Sequence, residues 1–261
     1  SSPKKCGTPI HESVEIGAEK MSVILKTDIK RKLKEIGLES GDNVIVHTSL
    51  KSMVYVCGGA QAVIEALIET VGENGTIMMP TQSWKNLDPE TGIHGKVDEK
   101  DWPLIRENWP AYDKKMTPTN TMGAVAEMFR QWPGSVRSAH PARSICAWGK
   151  NAAYLTQNHD LSDIFGESSP LAKLYALNGK VLSLGTGYNK NTSMHLADVR
   201  AEYAGKHPCT WRIMRESICA SSTAPFGKTG NGCGRPTKPC SWMARILSRL
   251  GRILKKSTRS G

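Results

Sequence analysis

Between Lys26 and Ile36 the apolar residues Ile29, Leu33 and Ile36 recur at intervals of three and four. That spacing predicts an amphipathic helix capped by Thr27 and ended by Gly37. Asn43-Val44-Ile45-Val46-His47 then runs apolar with no helical period and reads as a buried strand entering the polar loop Thr48-Ser49-Leu50-Lys51-Ser52. Gly58-Gly59 precede a second amphipathic helix, Ala60 to Val71, and Gly75 to Pro80 forms another short strand. Strand, loop, helix and strand in that order predict a βαβ-like start.

Residues 84–119 lose all periodicity and are rich in Trp, Pro, Asp and Lys, which predicts a long surface excursion of the kind that usually carries function. Thr121-Met122-Gly123 opens a helix with Val125, Met128 and Phe129 facing inward, and a strand is expected around Ser144 to Trp148. An Asp/Gly-rich loop leads to Phe165-Gly166-Glu167-Ser168-Ser169-Pro170, followed by a short helix from Leu171 to Leu177 that Asn178-Gly179 stops. The apolar strand Val181 to Leu184 then runs into Gly185-Thr186-Gly187 and a hydroxyl cluster, with Thr192 or Ser193 expected to cap a helix starting near Met194. On that helix His195 and Asp198 are three apart and share a face, so the carboxylate can orient the imidazole and stabilise its protonated form.

Charge changes the picture only at one end. The net charge is +11, yet residues 1–206 hold 24 Lys/Arg against 23 Asp/Glu, while residues 207–261 hold 11 against Glu216 alone. Cys209, Cys219, Cys233 and Cys240 also crowd that tail, without a Cys-x2-Cys pair or closely paired histidines, so no metal is expected. Cys57 and Cys146 read as small packing residues, and seven cysteines without a disulfide pattern suit a reducing cytoplasm. No apolar run approaches the roughly 18 residues a membrane span requires, and no signal-peptide stretch opens the chain.

The tail from His207 carries only one patterned stretch, the basic amphipathic Met243 to Leu254. A shifted reading frame accounts for it: with Trp211 fixed as TGG and Met214 as ATG, the frame one base later can read Pro-Val-His-Gly-Glu-Ser, an ordinary enzyme sequence. The domain organisation expected is therefore residues 1–20 as a non-native or disordered extension, 21–206 as the functional domain, and 207–261 as an atypical, frameshifted tail. The competing reading is a non-enzymatic protein that grips nucleic acid or anionic lipid through residues 207–261. A third is an inactive, truncated relic.

Several motifs stand in order through the body: Val46-His47-Thr48-Ser49-Leu50-Lys51-Ser52, Gly58-Gly59, Met116 to Gly123, Ser138-Ala139-His140-Pro141, Phe165-Gly166-Glu167-Ser168-Ser169-Pro170 and Asn191-Thr192-Ser193-Met194-His195. From about Thr27 to Lys206 they resemble the aminoglycoside 3-N-acetyltransferase family, which is distinct in fold from the common GNAT acetyltransferases. The expected fold is α/β, a three-layer α/β/α domain with a mixed central sheet. The resemblance implies transfer of acetyl from acetyl-coenzyme A to the 3-amine of a 2-deoxystreptamine aminoglycoside, by direct attack in a ternary complex, with no nucleic-acid or membrane partner. It leaves the oligomeric state open.

Within that chemistry His195 is the expected general base, Asp198 its orienter, and Thr192 a donor to the oxyanion. Ser49, Leu50, Lys51 and Ser52, with Thr121, Ser138, His140 and Ser169, form the expected coenzyme A set. Asp98, Glu99 and Asp101, with Asp163 and Glu202, are candidate carboxylates for the amines of the antibiotic. Val54 and Ser168 stand where the family commonly has glycine, and Asp198 stands where glutamate is usual.

Overall fold

The computed structural model describes residues 23–201, together with the backbone of two strands beyond them. The expectations for residues 1–20, for Glu202 and for Met243 to Leu254 lie outside the described residues. A five-stranded sheet forms the centre of the fold. In chain order its strands are β2 (Asn43–Thr48), β4 (Thr76–Pro80), β5 (Val136–Arg137), β6 (Ile145–Gly149) and β7 (Lys180–Leu184), arranged in space as β5-β6-β4-β2-β7. β2 runs parallel to both β4 and β7, whereas β6 is antiparallel to β4 and to β5, so the sheet is mixed. A small parallel pair, β1 (Val23–Ile24) and β3 (Tyr55–Val56), lies apart from it. Beyond the body, β8 (Lys206–Arg215) pairs antiparallel with β9 (Ile218–Gly227). The segment is strongly basic, but Thr210, Trp211 and Ile213 within it favour the extended conformation.

Successive residues of a strand face opposite sides, and both sides are covered. Val44 and Val46 of β2 pack with Ile77, Met79 and Leu182 beneath α1 (Lys26–Glu35), α2 (Gly59–Val71) and α4 (Gly123–Phe129). Ile45 packs on the other face with Met78, Ile145 and Ala147 beneath α5 (Ala152–Thr156), α6 (Pro170–Ala176) and α7 (Met194–Arg200). The result is the expected three-layer α/β/α arrangement, opened by a parallel β2-α2-β4 unit.

Local details differ from the pattern-based expectation. α1 is capped not by Thr27 but by Asp28, whose Oδ2 accepts the Leu25 N–H at 3.1 Å. In α4 Val125 and Phe129 are buried as expected, but Met128 is 40% exposed and Ala126 takes the inward place. Cys146 is a buried packing residue whose thiol burial pushes up to about 12, whereas Cys57 is exposed. β5 and α5 are too short to show a period along the sequence.

The excursion over residues 84–119 contains three short 3-10 turns and α3 (Trp102–Asn108). A small apolar cluster, Trp84, Leu87 and Ile93 against Ala142 and Leu161, and several polar clamps hold it. Arg106 reaches the fully buried Asp88 through Nε at 2.8 Å and its terminal nitrogen at 2.9 Å. Arg137, 3% exposed, donates to the Thr117 carbonyl at 2.5 Å, the Thr81 carbonyl at 2.6 Å and Ser144 Oγ at 3.0 Å. A guanidinium buried without a carboxylate must saturate its donors on carbonyls and hydroxyls, and here that ties the end of the excursion to β4 and β6.

Candidate active site

β2 connects through α2 to β4 on one side and has β7 as its other neighbour, with α2 and α7 covering opposite faces. The carboxyl edge of β2 and β7 is thus a topological switch point, where open α/β sheets place their ligands. Two loops meet there, Ser49 to Ser52 after β2 and Gly185 to Ser193 after β7.

The first loop is fastened to the second. Ser49 N–H donates to the Leu184 carbonyl at 2.9 Å. Ser52 Oγ lies 2.6 Å from the Gly185 carbonyl and 2.5 Å from Ser49 Oγ. With one proton on each hydroxyl, Ser52 donates to the carbonyl and accepts from Ser49. Gly185 adopts φ +69°, and a Cβ there would come within 2.7 Å of the Ser49 carbonyl, so only glycine permits this closeness. Leu50 packs inward on the core, while Lys51 and Ser52 are exposed. Thr121, just before α4, takes φ 60°, a conformation that a β-branched residue adopts only under local constraint. The neighbouring Gly123 would place a Cβ 3.9 Å from the Thr48 carbonyl, which sets the start of α4 beside the first loop.

The second loop delivers His195. α7 begins at Met194 as expected, but its entry is fixed by Asn191, whose Oδ1 accepts the Ser193 N–H at 2.9 Å. Neither Ser193 nor Thr192 caps through its hydroxyl, since Ser193 already has helical backbone angles, which turn a side chain away from the helix amides. Thr192 is buried, and its carbonyl accepts the His195 N–H at 3.1 Å. The His195 ring stacks on Phe165, with centroids 4.5 Å apart and planes at 17°. Its surroundings hold it well below the ordinary histidine value, at about 4, through burial first and then the nearby Arg143 and His47. His195 is therefore neutral at pH 7, the state required of a proton acceptor. Asp198 is buried one turn further along α7.

The loop carrying Phe165 is itself braced. Asp163 Oδ2 accepts both the backbone N–H of Ser168, at 2.8 Å, and its hydroxyl, at 2.7 Å. The turn closes so tightly on Asp163 that a Cβ on Gly166 would overlap the carboxylate. Glu167 then reaches across to Arg200 of α7 at 2.6 and 2.8 Å. Asp163 thus shapes the support of His195.

Ser138, His140 and Ser169 have no exposed surface, so none can line a cofactor cleft directly. Ser169 Oγ caps α6 through the Ala172 N–H at 3.3 Å. Ser138 Oγ accepts the Ile145 N–H and bonds His159 Nδ1, each at 2.9 Å, and His159 Nε2 donates to the Ile164 carbonyl at 2.8 Å. His140 Nδ1 accepts the N–H groups of Ala142, at 3.3 Å, and Arg143, at 3.1 Å. This buried network positions Arg143, whose guanidinium donates to Gln82 Oε1 at 3.1 Å and lies over Trp84 at 5.1 Å.

Residues 45–221 match the family model described as aminoglycoside 3-N-acetyltransferase. The chain belongs to the aminoglycoside 3-N-acetyltransferase family. A Bacillus subtilis relative, the SPbeta prophage-derived aminoglycoside N(3')-acetyltransferase-like protein YokD, is 45% identical over 68% of this chain and 66% of its own length. Its crystal structure superposes with a TM-score of 0.71, at 40% identity, covering 77% of this chain and 81% of that one. Aminoglycoside N(3)-acetyltransferase IX of Micromonospora chalcea is 36% identical over 72% of this chain and 66% of its own length. A solved structure titled AAC-IIIb binary with CoASH reaches a TM-score of 0.69 at 27% identity, covering 88% of this chain and 86% of that one. The chain spans about two thirds of the length of the curated relatives it matches.

In this aminoglycoside 3-N-acetyltransferase family member the remaining acidic candidates stand together on the excursion. Asp98 starts the turn Glu99–Asp101, with Asp98 and Glu99 exposed and Asp98 paired to Lys100 at 3.3 Å. Asp101 lines an open groove with Leu104, Ile105 and Trp109. Sequence reasoning assigned no role to Phe165, Arg143, Gln82 or His47. Phe165 and His47 lie inside the ordered motifs of the body, and the period-2 alternation of β2 is the signal that directs His47 toward α7.

Proposed function

We propose that this chain transfers the acetyl group of acetyl-coenzyme A to the 3-amino group of a 2-deoxystreptamine aminoglycoside, by direct attack in a ternary complex. The observation that carries the reading is the buried Phe165–His195 stack on α7, the helix that follows the loop fastened to Ser52 at the carboxyl edge. An ammonium must lose its proton before nitrogen can attack a thioester, and His195 accepts that proton. Asp198, on the same helix face, orients the ring and stabilises the imidazolium. The amine then attacks the carbonyl carbon, charge gathers on its oxygen near Thr192, and the C–S bond breaks to release coenzyme A.

Ser49 and Ser52 offer hydroxyls, and the exposed Lys51 a positive charge, for the coenzyme's polar arm and phosphates, with Leu50 as the apolar side of the loop and the exposed Thr121 beside it. Ser138, His140 and Ser169 act indirectly, the first two through the buried network that positions Arg143 and the third as the cap of α6. Asp98, Glu99 and Asp101 attract the polycationic acceptor, and the reaction belongs in the cytoplasm, where acetyl-coenzyme A is available.

The test is thiol release from acetyl-coenzyme A by this chain with and without an aminoglycoside. Release that requires the antibiotic and falls at least about 100-fold in His195→Ala is expected. Release that ignores the acceptor, or survives that substitution, would contradict the reading.

A further inference from the structure

His47 is the next-to-last residue of β2, two residues before the loop that begins at Ser49. Strand alternation places it on the same face as Ile45, which packs in one cluster with Phe165 and with Leu196 of α7, while Val44 and Val46 face the opposite layer. One pleat beyond Ile45 toward the carboxyl edge, His47 therefore lies on the side of the Phe165–His195 stack. Its influence on His195 supports that placement.

The side chain is 6% exposed, and its Nε2 atom has no hydrogen-bond partner. His159 is the instructive contrast: it is equally buried, but both of its nitrogens are satisfied, by Ser138 and Ile164, as expected of a structural histidine. A buried donor without a partner costs stability, and each such group calls for an explanation, a catalytic role among them. The β7–α7 loop brings two more, Thr186 Oγ1 and Ser193 Oγ, both buried and without a partner. Burial lowers the His47 imidazole to about 4, so the ring is neutral at pH 7, and a neutral imidazole N–H in a low-dielectric site can polarise a carbonyl.

We propose that the Nε2–H of His47 donates to the carbonyl oxygen of the acetyl group during transfer, completing with Thr192 the site that receives the oxyanion. The inference rests on the acetyl-transfer reading above. As the C–N bond forms, the carbonyl π electrons move to oxygen and are met by His47. The pair returns as the C–S bond breaks and the coenzyme leaves with the sulfur electrons. The amine proton goes to His195, and His47 keeps its own throughout.

His47→Phe keeps the ring and removes both nitrogens, while His47→Gln keeps an N–H donor. Steady-state kinetics with acetyl-coenzyme A and an aminoglycoside, and the melting temperature, are measured for both and for the parent chain. A fall of about 100-fold in kcat is expected for His47→Phe, with the acetyl-coenzyme A KM within about twofold of the parent's and partial recovery in His47→Gln. The melting temperature of His47→Phe should equal or exceed the parent's, because an unsatisfied polar atom has left the interior. An unchanged kcat would overturn the proposal, as would a kcat loss accompanied by a lower melting temperature or failure to fold, which marks a structural histidine. An inactive parent chain overturns this proposal together with the transfer reading. A parent inactivated by His195→Ala but indifferent to His47→Phe overturns this proposal alone.

Discussion

Proton uptake by the His195 ring is opposed by its enclosure against Phe165 and by the charge of Arg143, and these set the pH range over which it can act as a base. A base works only while unprotonated, and at about 4 His195 is unprotonated throughout the neutral range. Phe165→Leu removes the flat partner and admits water to one face, so the His195 value rises toward the ordinary 6.5. The acid limb of the kcat/KM profile should move to higher pH, with kcat down by about tenfold as the ring loses its fixed plane. A limb that stays in place would remove the stack from the account. The spacing of His195 and Asp198 was legible in the sequence because one helix turn carries both. The Phe165 contact was not, because it joins a loop to a helix through tertiary packing that leaves no period along the chain.

Two strand ends meet through one residue without a side chain. At Gly185 the backbone adopts φ +69° and passes so near the Ser49 carbonyl that a methyl group has no room. Gly185→Ala should therefore push the Ser49 to Ser52 loop off β7, breaking the Ser52 contact with the Gly185 carbonyl and the Ser49 contact with Leu184. A loss of about 1–3 kcal/mol is expected in urea denaturation, together with weaker acetyl-coenzyme A binding by calorimetry. Unchanged stability and affinity would show that the two loops are not coupled. At this scale β2, α2 and β4 were readable because each presents a continuous apolar face. The excursion over residues 84–119 was not, because the Asp88–Arg106 pair and the carbonyls around Arg137 hold it, and polar clamps leave no hydrophobic rhythm.

Across the molecule, burial lowers His47, His159 and His195 to about 4 and His140 to about 2, all from an ordinary 6.5. Between pH 6.5 and 4 the unfolded chain binds protons at these positions that the folded chain refuses, so stability rises with pH in that window. The contribution is complete above about 6.5 and is lost as pH falls toward 4, at up to about 1.4 kcal/mol per histidine per pH unit. The melting temperature should drop steeply from pH 6.5 to 4.5, and a flat profile would mean that the buried rings are solvated. The α/β/α layering was foreseen from strand and helix order together with the family resemblance, whereas the buried histidine layer that supports the site emerges only when distant loops converge. The central claim concerns the reaction itself. The most direct measurement is to incubate this chain with acetyl-coenzyme A and a 2-deoxystreptamine aminoglycoside and to map the product by mass spectrometry and NMR. A single acetyl group on the 3-amino nitrogen is predicted, and an unmodified antibiotic or acetylation at another position would contradict the account.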